Sequence, residues 1–433
     1  MNYTNTAALY RVFKLHPNVT TDTRKINEGD LFFALKGPNF DANGFALEAL
    51  NAGAAFAVVD DKSLPSHPNL LVVPDVLTAL QELAGFYRKQ LNIPVIGITG
   101  SNGKTTTKEL VHAVLSKKFR TSTTVGNLNN HIGVPLTLLR IPENAEMAVI
   151  EMGANHQKEI EGYCNYALPT HGLITNCGKA HLEGFGGVEG VRKGKGELFD
   201  HLKRNSGTAF VCSDFDYFPE MVSQRNMEGV IWYGTDGSGE IIGKSSSNGS
   251  FLNVEISRGF SGPFSISTQL VGDYNLYNIL SAVAIGRYFA VDAMQIKEAI
   301  EAYHPDNSRS QLVKLEGNSV IMDAYNANPS SMSAAIRNFA GLEAGRKILM
   351  LGAMAELGED SVKEHQGIVD LIGEFKWDMV VLVGGDFEKT KHPYLFIKNA
   401  AEAAEWWLNN KTTDATILLK GSRSTAMEKV FGL

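Results

Sequence analysis

Apolar and polar positions along the 433-residue chain follow three successive rhythms. In the first, DLFFALKG (30–37) and AAFAVVD (54–60) are short, nearly unbroken apolar runs, as expected of buried strands, and FALEALNAGA between them puts its apolar residues on one helical face. A second helical pattern, VLTALQELAGFYRKQL, runs into Leu91-Asn92-Ile93-Pro94. Proline lacks the N–H and disfavours helical geometry at the residue before it, so the helix stops and a first domain over 1–91 is expected.

From Val95 the chain gives a short apolar strand, PVIGIT, a glycine loop, and a helix from about Lys104. MAVIEMG (147–153), GLITNCG (172–178) and GTAFVCSD (207–214) are further buried-strand candidates. Between Gly229 and Leu270 the rhythm changes: FLNVEI and PFSISTQL alternate apolar and polar side chains, which predicts half-exposed antiparallel strands forming a β appendage. The small tract SSSNGS (245–250) reads as a hairpin turn or loop. After HPDNSR (304–309), four apolar runs, SVIMDAY, KILMLGAM, DMVVLVGG and ATILLKGS, are spaced by helix-length amphipathic segments, which predicts a parallel sheet with helical crossovers. The expected fold is α/β in three domains: 1–91, a central P-loop domain over 92–304, and a Rossmann-like domain over 305–433.

A formal charge of −7 argues against nonspecific nucleic-acid binding, so a polyanionic ligand would need a local pocket. Cys164, Cys177 and Cys212 are an odd, scattered set without a C-x-x-C pair, which fits unpaired structural thiols in a reducing compartment. The N-terminal stretch lacks the apolar core of a signal peptide and no apolar run is long enough to span a bilayer. A cytoplasmic monomer is expected.

The segment GITGSNGKTTTKEL (97–110) carries the clearest chemistry. It ends as a phosphate loop does, in Gly103-Lys104-Thr105, but Ile98 stands where G-x-x-x-x-G-K-[ST] has its first glycine. Gly100 and Gly103 let the backbone approach a phosphate, and helix-start N–H groups favour an anion. Lys104 can reach phosphate oxygens, and Thr105 offers Mg²⁺ a hard oxygen. A bare glycine-lysine turn occurs by chance; the strand before and the helix after make the phosphate-loop reading the better one. Taken singly, Glu151 reads as a strand-end charge, His181 as structural because histidine is an unusual Mg²⁺ ligand, and Lys195 as a solvated charge.

Together these segments resemble the Mur ligases, whose relative is folylpolyglutamate synthase: ATP-dependent enzymes that join a carboxylate to an amine. The resemblance rests on T-G-S-N-G-K-T (99–105), then EMGA, ITN-x-G-x-AHLEGFG and EGV-x-x-x-KGE in that order and spacing. It implies an ATP site at Gly100, Ser101, Asn102, Gly103, Lys104, Thr105 and Thr106. It also implies two Mg²⁺ ions, with Glu151 and His181 as ligands beside Thr105, and CO₂ carried on Lys195 as a carbamate; Lys104, Glu151, His181 and Lys195 are the implied catalytic group. GDYNLYNILSAVAIG (272–286) resembles the family's G-x-HN-x-x-N segment, with Asn278 at the adenine and Tyr274 in place of the usual histidine. Arg309 and Asp323 match residues of a closing third domain, near the phosphates and the ribose.

DAYNANPSSM (323–332) resembles the version of this region found in members that add D-alanyl-D-alanine, which points to Tyr325, Asn326 and Asn328. GAMAELGEDSVKEH and LKGSRSTAME agree, as does GNLNNHIGVPLTLL (126–139), where Asn127, Asn129 and Asn130 are candidates for the nucleotide-sugar peptide. DTRKINEGDLFFALKG resembles the uridine-nucleotide domain, with Thr23, Arg24 and Lys36 as contacts. The implied substrates are UDP-N-acetylmuramoyl-tripeptide and D-alanyl-D-alanine. Five departures stand out: Lys158 occupies a usual glycine position, Met322 and Ala353 replace acidic residues, DANGF replaces DGH-x-F, and Tyr274 replaces histidine. A sister ligase adding one amino acid, or a P-loop kinase or ATPase, remains the alternative.

Overall fold

The computed structural model describes residues 3–246, 251–305 and 309–432. Three parallel-rich sheets follow one another along the chain. The first has four parallel strands in the order Val19–Thr20, Leu31–Phe33, Phe56–Val59, Leu70–Val72. Helices Thr6–Leu15 and Val76–Gln90 belong to this unit, and each begins at a side-chain cap. Asn5 Oδ1 accepts from Ala8 N at 2.9 Å and Asp75 Oδ1 from Thr78 N at 2.7 Å. Helix Val76–Gln90 ends before the expected proline break, where buried Arg88 donates to the carbonyls of Leu91, Ile93 and Ala167.

The second sheet has nine strands in the order Phe264–Ser267, Asn253–Arg258, Ile241–Ser245, Val230–Gly234, Thr208–Cys212, His171–Ile174, Val95–Thr99, Met147–Glu151, Thr121–Thr123. The run from Ile241–Ser245 to Thr121–Thr123 is parallel; the other two strands are antiparallel. The predicted β appendage is thus an extension of the same sheet, because Ile241–Ser245 pairs with Val230–Gly234 on one edge and Asn253–Arg258 on the other. The expected turn over 245–250 lies mostly outside the described residues, as does the 306–308 part of the segment before the third sheet. Helices Lys104–Ser116 and Leu276–Tyr288 pack so closely that a Cβ on Gly286 would stand 2.5 Å from Val114 Cγ1.

The third sheet runs Gln311–Leu315, Asn318–Asp323, Thr416–Lys420, Lys347–Gly352, Met379–Val383, Leu395–Ile397, with only the first pair antiparallel. All four predicted runs are strands; of the two edge strands, Leu395–Ile397 has only three residues to carry a pattern and Gln311–Leu315 breaks its apolar run with a lysine. Met322 and Ala353 are buried, so apolar side chains at these two departures from the family pattern join the core. All three cysteines are free and buried; burial pushes the Cys177 and Cys212 thiols up to about 12. Among the described residues no helix is long and apolar enough to cross a membrane.

Candidate active site

In both larger sheets the candidate residues collect where parallel strands end and the following loops begin, the position at which open α/β sheets hold ligands. Val95–Thr99 ends in the loop Gly100–Gly103, and helix Lys104–Ser116 starts directly after it. Ile98 is buried inside the strand, so the bend begins at Gly100 and a glycine at 98 has no role. Gly100 has φ 143° and a Cβ there would stand 2.0 Å from Thr175 Oγ1; Gly103 has φ 79° and its Cβ would meet Asn278 Oδ1 at 2.5 Å. Only glycine fits at either position.

The loop is tied down from the neighbouring strand. Asn102 N donates to Asn176 Oδ1 at 3.1 Å and Thr175 Oγ1 donates to Asn102 O at 2.6 Å. Lys104 Nζ folds back over the loop, donating to Gly100 O at 2.8 Å and Ser101 O at 3.1 Å. Burial lowers its pKa, opposed by the charge of Glu151 and reinforced by that of Arg309.

Glu151 ends strand Met147–Glu151 and is 1% exposed. Its Oε1 accepts from Asn129 Nδ2 at 2.7 Å and from Thr105 Oγ1 at 3.2 Å, while Oε2 is buried with no hydrogen-bond partner. An orphaned carboxylate oxygen beside a hydroxyl suits a hard divalent cation, which would satisfy it. Among the described residues no three His, Cys, Asp or Glu side chains converge, so a metal here would draw on hydroxyl and other oxygens as well. His181 lines the same cavity. It sits in the left-handed region at φ 51°, and its Nδ1 lies against the Glu356 carboxylate of the third-sheet unit.

Lys195 lies in helix Val188–Arg204 and is 1% exposed, so it is not the solvated charge that a lone lysine suggests. Its Nζ donates to Ala154 O at 3.0 Å and stands 4.9 Å from the Phe185 ring centroid. Burial, with the Lys104 charge acting the same way, brings its pKa down to about 7. A large share of neutral amine is therefore present near neutrality. The Lys158 departure also has a physical answer. Its φ is 73°, so the chain keeps the left-handed turn that glycine would make, with a lysine in it.

The third-sheet unit closes the cavity, whose volume is about 690 Å³. Asn328 Nδ2 donates to Asn102 Oδ1 at 2.8 Å, and Ser330 Oγ accepts from Lys179 N at 2.8 Å. The Arg309 guanidinium lies 3.5 Å over the Tyr325 ring. Asp323 Oδ2 meets Lys420 Nζ at 2.6 Å, and Lys420 also donates to Asn326 O at 3.1 Å. Thr106, Asn130 and Asn278 line the cavity too. Asn130 Oδ1 additionally accepts from Gly133 N at 2.8 Å, and Asn278 exchanges hydrogen bonds with Thr107 and Asn275.

Asn127 is exposed and outside this cavity. Thr23, Arg24 and Lys36 sit on the first unit, away from it; Arg24 pairs with Asp22 at 2.8 Å and Lys36 with Asp60 at 2.8 Å. Sequence reasoning did not single out Lys420, Asn176 or Glu356. Lys420 had a usable signal, a cation closing the apolar run ATILLK, whereas Glu356 had none, since its partner is 175 positions away in sequence (356 − 181).

Residues 98–286 match the family described as Mur ligase middle domain, and residues 308–423 the one described as Mur ligase, glutamate ligase domain. The chain is 37% identical to the UDP-N-acetylmuramoyl-tripeptide--D-alanyl-D-alanine ligase of Bacillus subtilis (strain 168), over 95% of this chain and 92% of that one. It is 36% identical to the protein of the same description from Escherichia coli (strain K12), with the same coverage. Among solved structures it is similar to MurF from Acinetobacter baumannii, with a TM-score of 0.86, 32% identity and coverage of 95% and 92%. MurF ligase from Thermotoga maritima in complex with ADP superposes with a TM-score of 0.85 at 26% identity, covering 96% of each chain.

Proposed function

The chain belongs to the Mur ligase family, and from that premise we propose that it joins the amine of D-alanyl-D-alanine to the terminal carboxylate of UDP-N-acetylmuramoyl-tripeptide, at the cost of ATP. It is an ATP-dependent ligase that forms an amide bond. The observation that carries the acceptor assignment is the seating of the DAYNANPSSM segment on the phosphate loop, through the Asn328–Asn102 hydrogen bond of 2.8 Å. The reading is supported by that contact, which brings the segment resembling the D-alanyl-D-alanine-adding version against the phosphate loop. We assign residues 1–91 to the uridine-nucleotide sugar, 92–304 to ATP and 305–433 to the acceptor, and a cytoplasmic site of action follows from the substrates.

A carboxylate oxygen of the tripeptide attacks the γ-phosphorus, the bond to the β-phosphate oxygen breaks, and ADP leaves. Lys104 swings from its own loop carbonyls to the phosphate oxygens, and the N–H groups at the start of helix Lys104–Ser116 hold the charge that develops. The dipeptide nitrogen, having lost a proton, then attacks the acyl-phosphate carbonyl. Inorganic phosphate departs with the original carboxylate oxygen as the amide forms. Glu151, Thr105 and His181 would hold magnesium, which when bound neutralises phosphate charge. A carbamate on Lys195 would supply an anionic, two-oxygen group there, and the neutral amine that its formation needs is favoured by burial. Arg309 and Asp323 face the nucleotide from the third-sheet unit, which excludes water from the acyl phosphate.

The experiment is ADP release by purified protein given UDP-N-acetylmuramoyl-tripeptide and each amine in turn. D-alanyl-D-alanine alone should drive turnover, and oxygen-18 in the tripeptide carboxylate should appear in the phosphate. Turnover with a single amino acid would assign a sister activity, and turnover without an amine an ATPase.

A further inference from the structure

Resting on the ligase reading above, we propose that Glu356 is a positioning residue for His181, delivered by the third-sheet unit, that fixes which imidazole nitrogen faces the reacting phosphates. Neither the family resemblance nor the site assignment gives Glu356 a role. Three observations converge on it.

The first is the contact itself. His181 Nδ1 is buried, and the Glu356 carboxylate is the group set directly against it. With Nδ1 turned towards this carboxylate, Nε2 is the nitrogen left for the cavity that His181 lines. A carboxylate behind a histidine holds the proton on the near nitrogen and leaves the far one as a lone-pair donor.

The second is backbone conformation. His181 has φ 51° and Glu356 has φ 60°, so both partners are non-glycine residues in the left-handed region. Such a conformation is strained for a residue with a side chain and persists where surrounding structure over-determines it. Two such residues facing each other across one seam point to a contact held by both sides.

The third is the clamp around the pair. Lys179 Nζ meets Glu364 Oε1 at 2.7 Å, Lys179 N donates to Ser330 Oγ at 2.8 Å, and a Cβ on Gly358 would stand 3.3 Å from the Glu183 side chain. The whole 178–183 loop is gripped from the third-sheet unit. The orientation of His181 is therefore set by a part of the chain that carries the acceptor segment, which couples docking of that unit to completion of the phosphate site.

The test uses the full chain with selectively ¹⁵N-labelled histidine in the presence of a non-hydrolysable ATP analogue, with His181→Gln to assign the signal. Wild type should show His181 protonated at Nδ1. Glu356→Ala should shift the tautomer towards Nε2–H, and Glu356→Asp should restore the wild-type pattern in part. In the same samples, Mn²⁺ binding followed by electron paramagnetic resonance should weaken about tenfold in Glu356→Ala, while affinity for the ATP analogue without metal stays unchanged. An unaltered tautomer and unaltered Mn²⁺ affinity in a folded Glu356→Ala protein would overturn the proposal. Wild-type turnover with D-alanyl-D-alanine is measured alongside, so loss of that turnover counts against the ligase reading and the tautomer result against the role of Glu356.

Discussion

Lys420 Nζ lies 2.6 Å from Asp323 Oδ2, at the ends of two adjacent parallel strands, with the lysine side chain 2% and the aspartate 17% exposed. Removing one member leaves the other charge largely buried and unpaired. Lys420→Met should therefore destabilise the protein by about 3 kcal/mol in urea unfolding, and Lys420→Met with Asp323→Asn should cost less than the sum of the single changes. Asp323→Ala should raise the ATP concentration needed for half-maximal turnover, and an unchanged ATP dependence would remove Asp323 from the nucleotide site.

Lys195→Ala should lose most ligase activity and regain part of it with added short carboxylic acids, which supply oxygens where the carbamate would stand. Activity at the wild-type level would refute the role.

The depressed pKa of Lys195 also sets a pH dependence of stability. The folded value is about 7 against an ordinary 10.5, so between these two the unfolded chain binds more protons than the folded one. The cost of the buried ammonium is present in full below about pH 7 and is relieved as pH rises towards 10.5. In CO₂-depleted buffer, Lys195→Met should be more stable than wild type at pH 6, and that margin should shrink by pH 9. A margin that does not change with pH would show that Lys195 titrates normally.

Gly103→Ala places a Cβ 2.5 Å from Asn278 Oδ1 at a φ of 79°. The loop must shift, at a cost of roughly 1–3 kcal/mol, and binding of a fluorescent ATP analogue should fall with it. Retention of both stability and nucleotide affinity would show the loop to be pliable.

Lys158→Gly should be mildly stabilising. Relief of a left-handed lysine is worth about 1–2 kcal/mol, the added freedom of glycine in the unfolded chain takes back roughly 0.5–1, and the exposed Lys158–Glu161 pair contributes little. A net gain of about 0.5 kcal/mol should appear in the urea midpoint; a lower midpoint would show the ion pair to dominate.

What the sequence determined by itself was local. The phosphate loop between PVIGIT and the Lys104–Ser116 helix, Glu151 at a strand end, and the four apolar runs of the third sheet follow from short-range patterning, since strand burial, glycine turns and helix starts are written within a few residues. Its departures were readable as well, yet their meaning was not: only backbone angles reveal that Lys158 makes the turn of a glycine. Tertiary structure alone decided the rest. Burial converts Lys195 from an ordinary cation into an amine that titrates near neutrality, because desolvation comes from residues remote in sequence. Asn102 with Asn328, Asp323 with Lys420, and His181 with Glu356 become partners when separate strands and loops are packed edge to edge and seam to seam. A side chain's charge state and aim depend on its surroundings, and those surroundings are assembled from all along the folded chain.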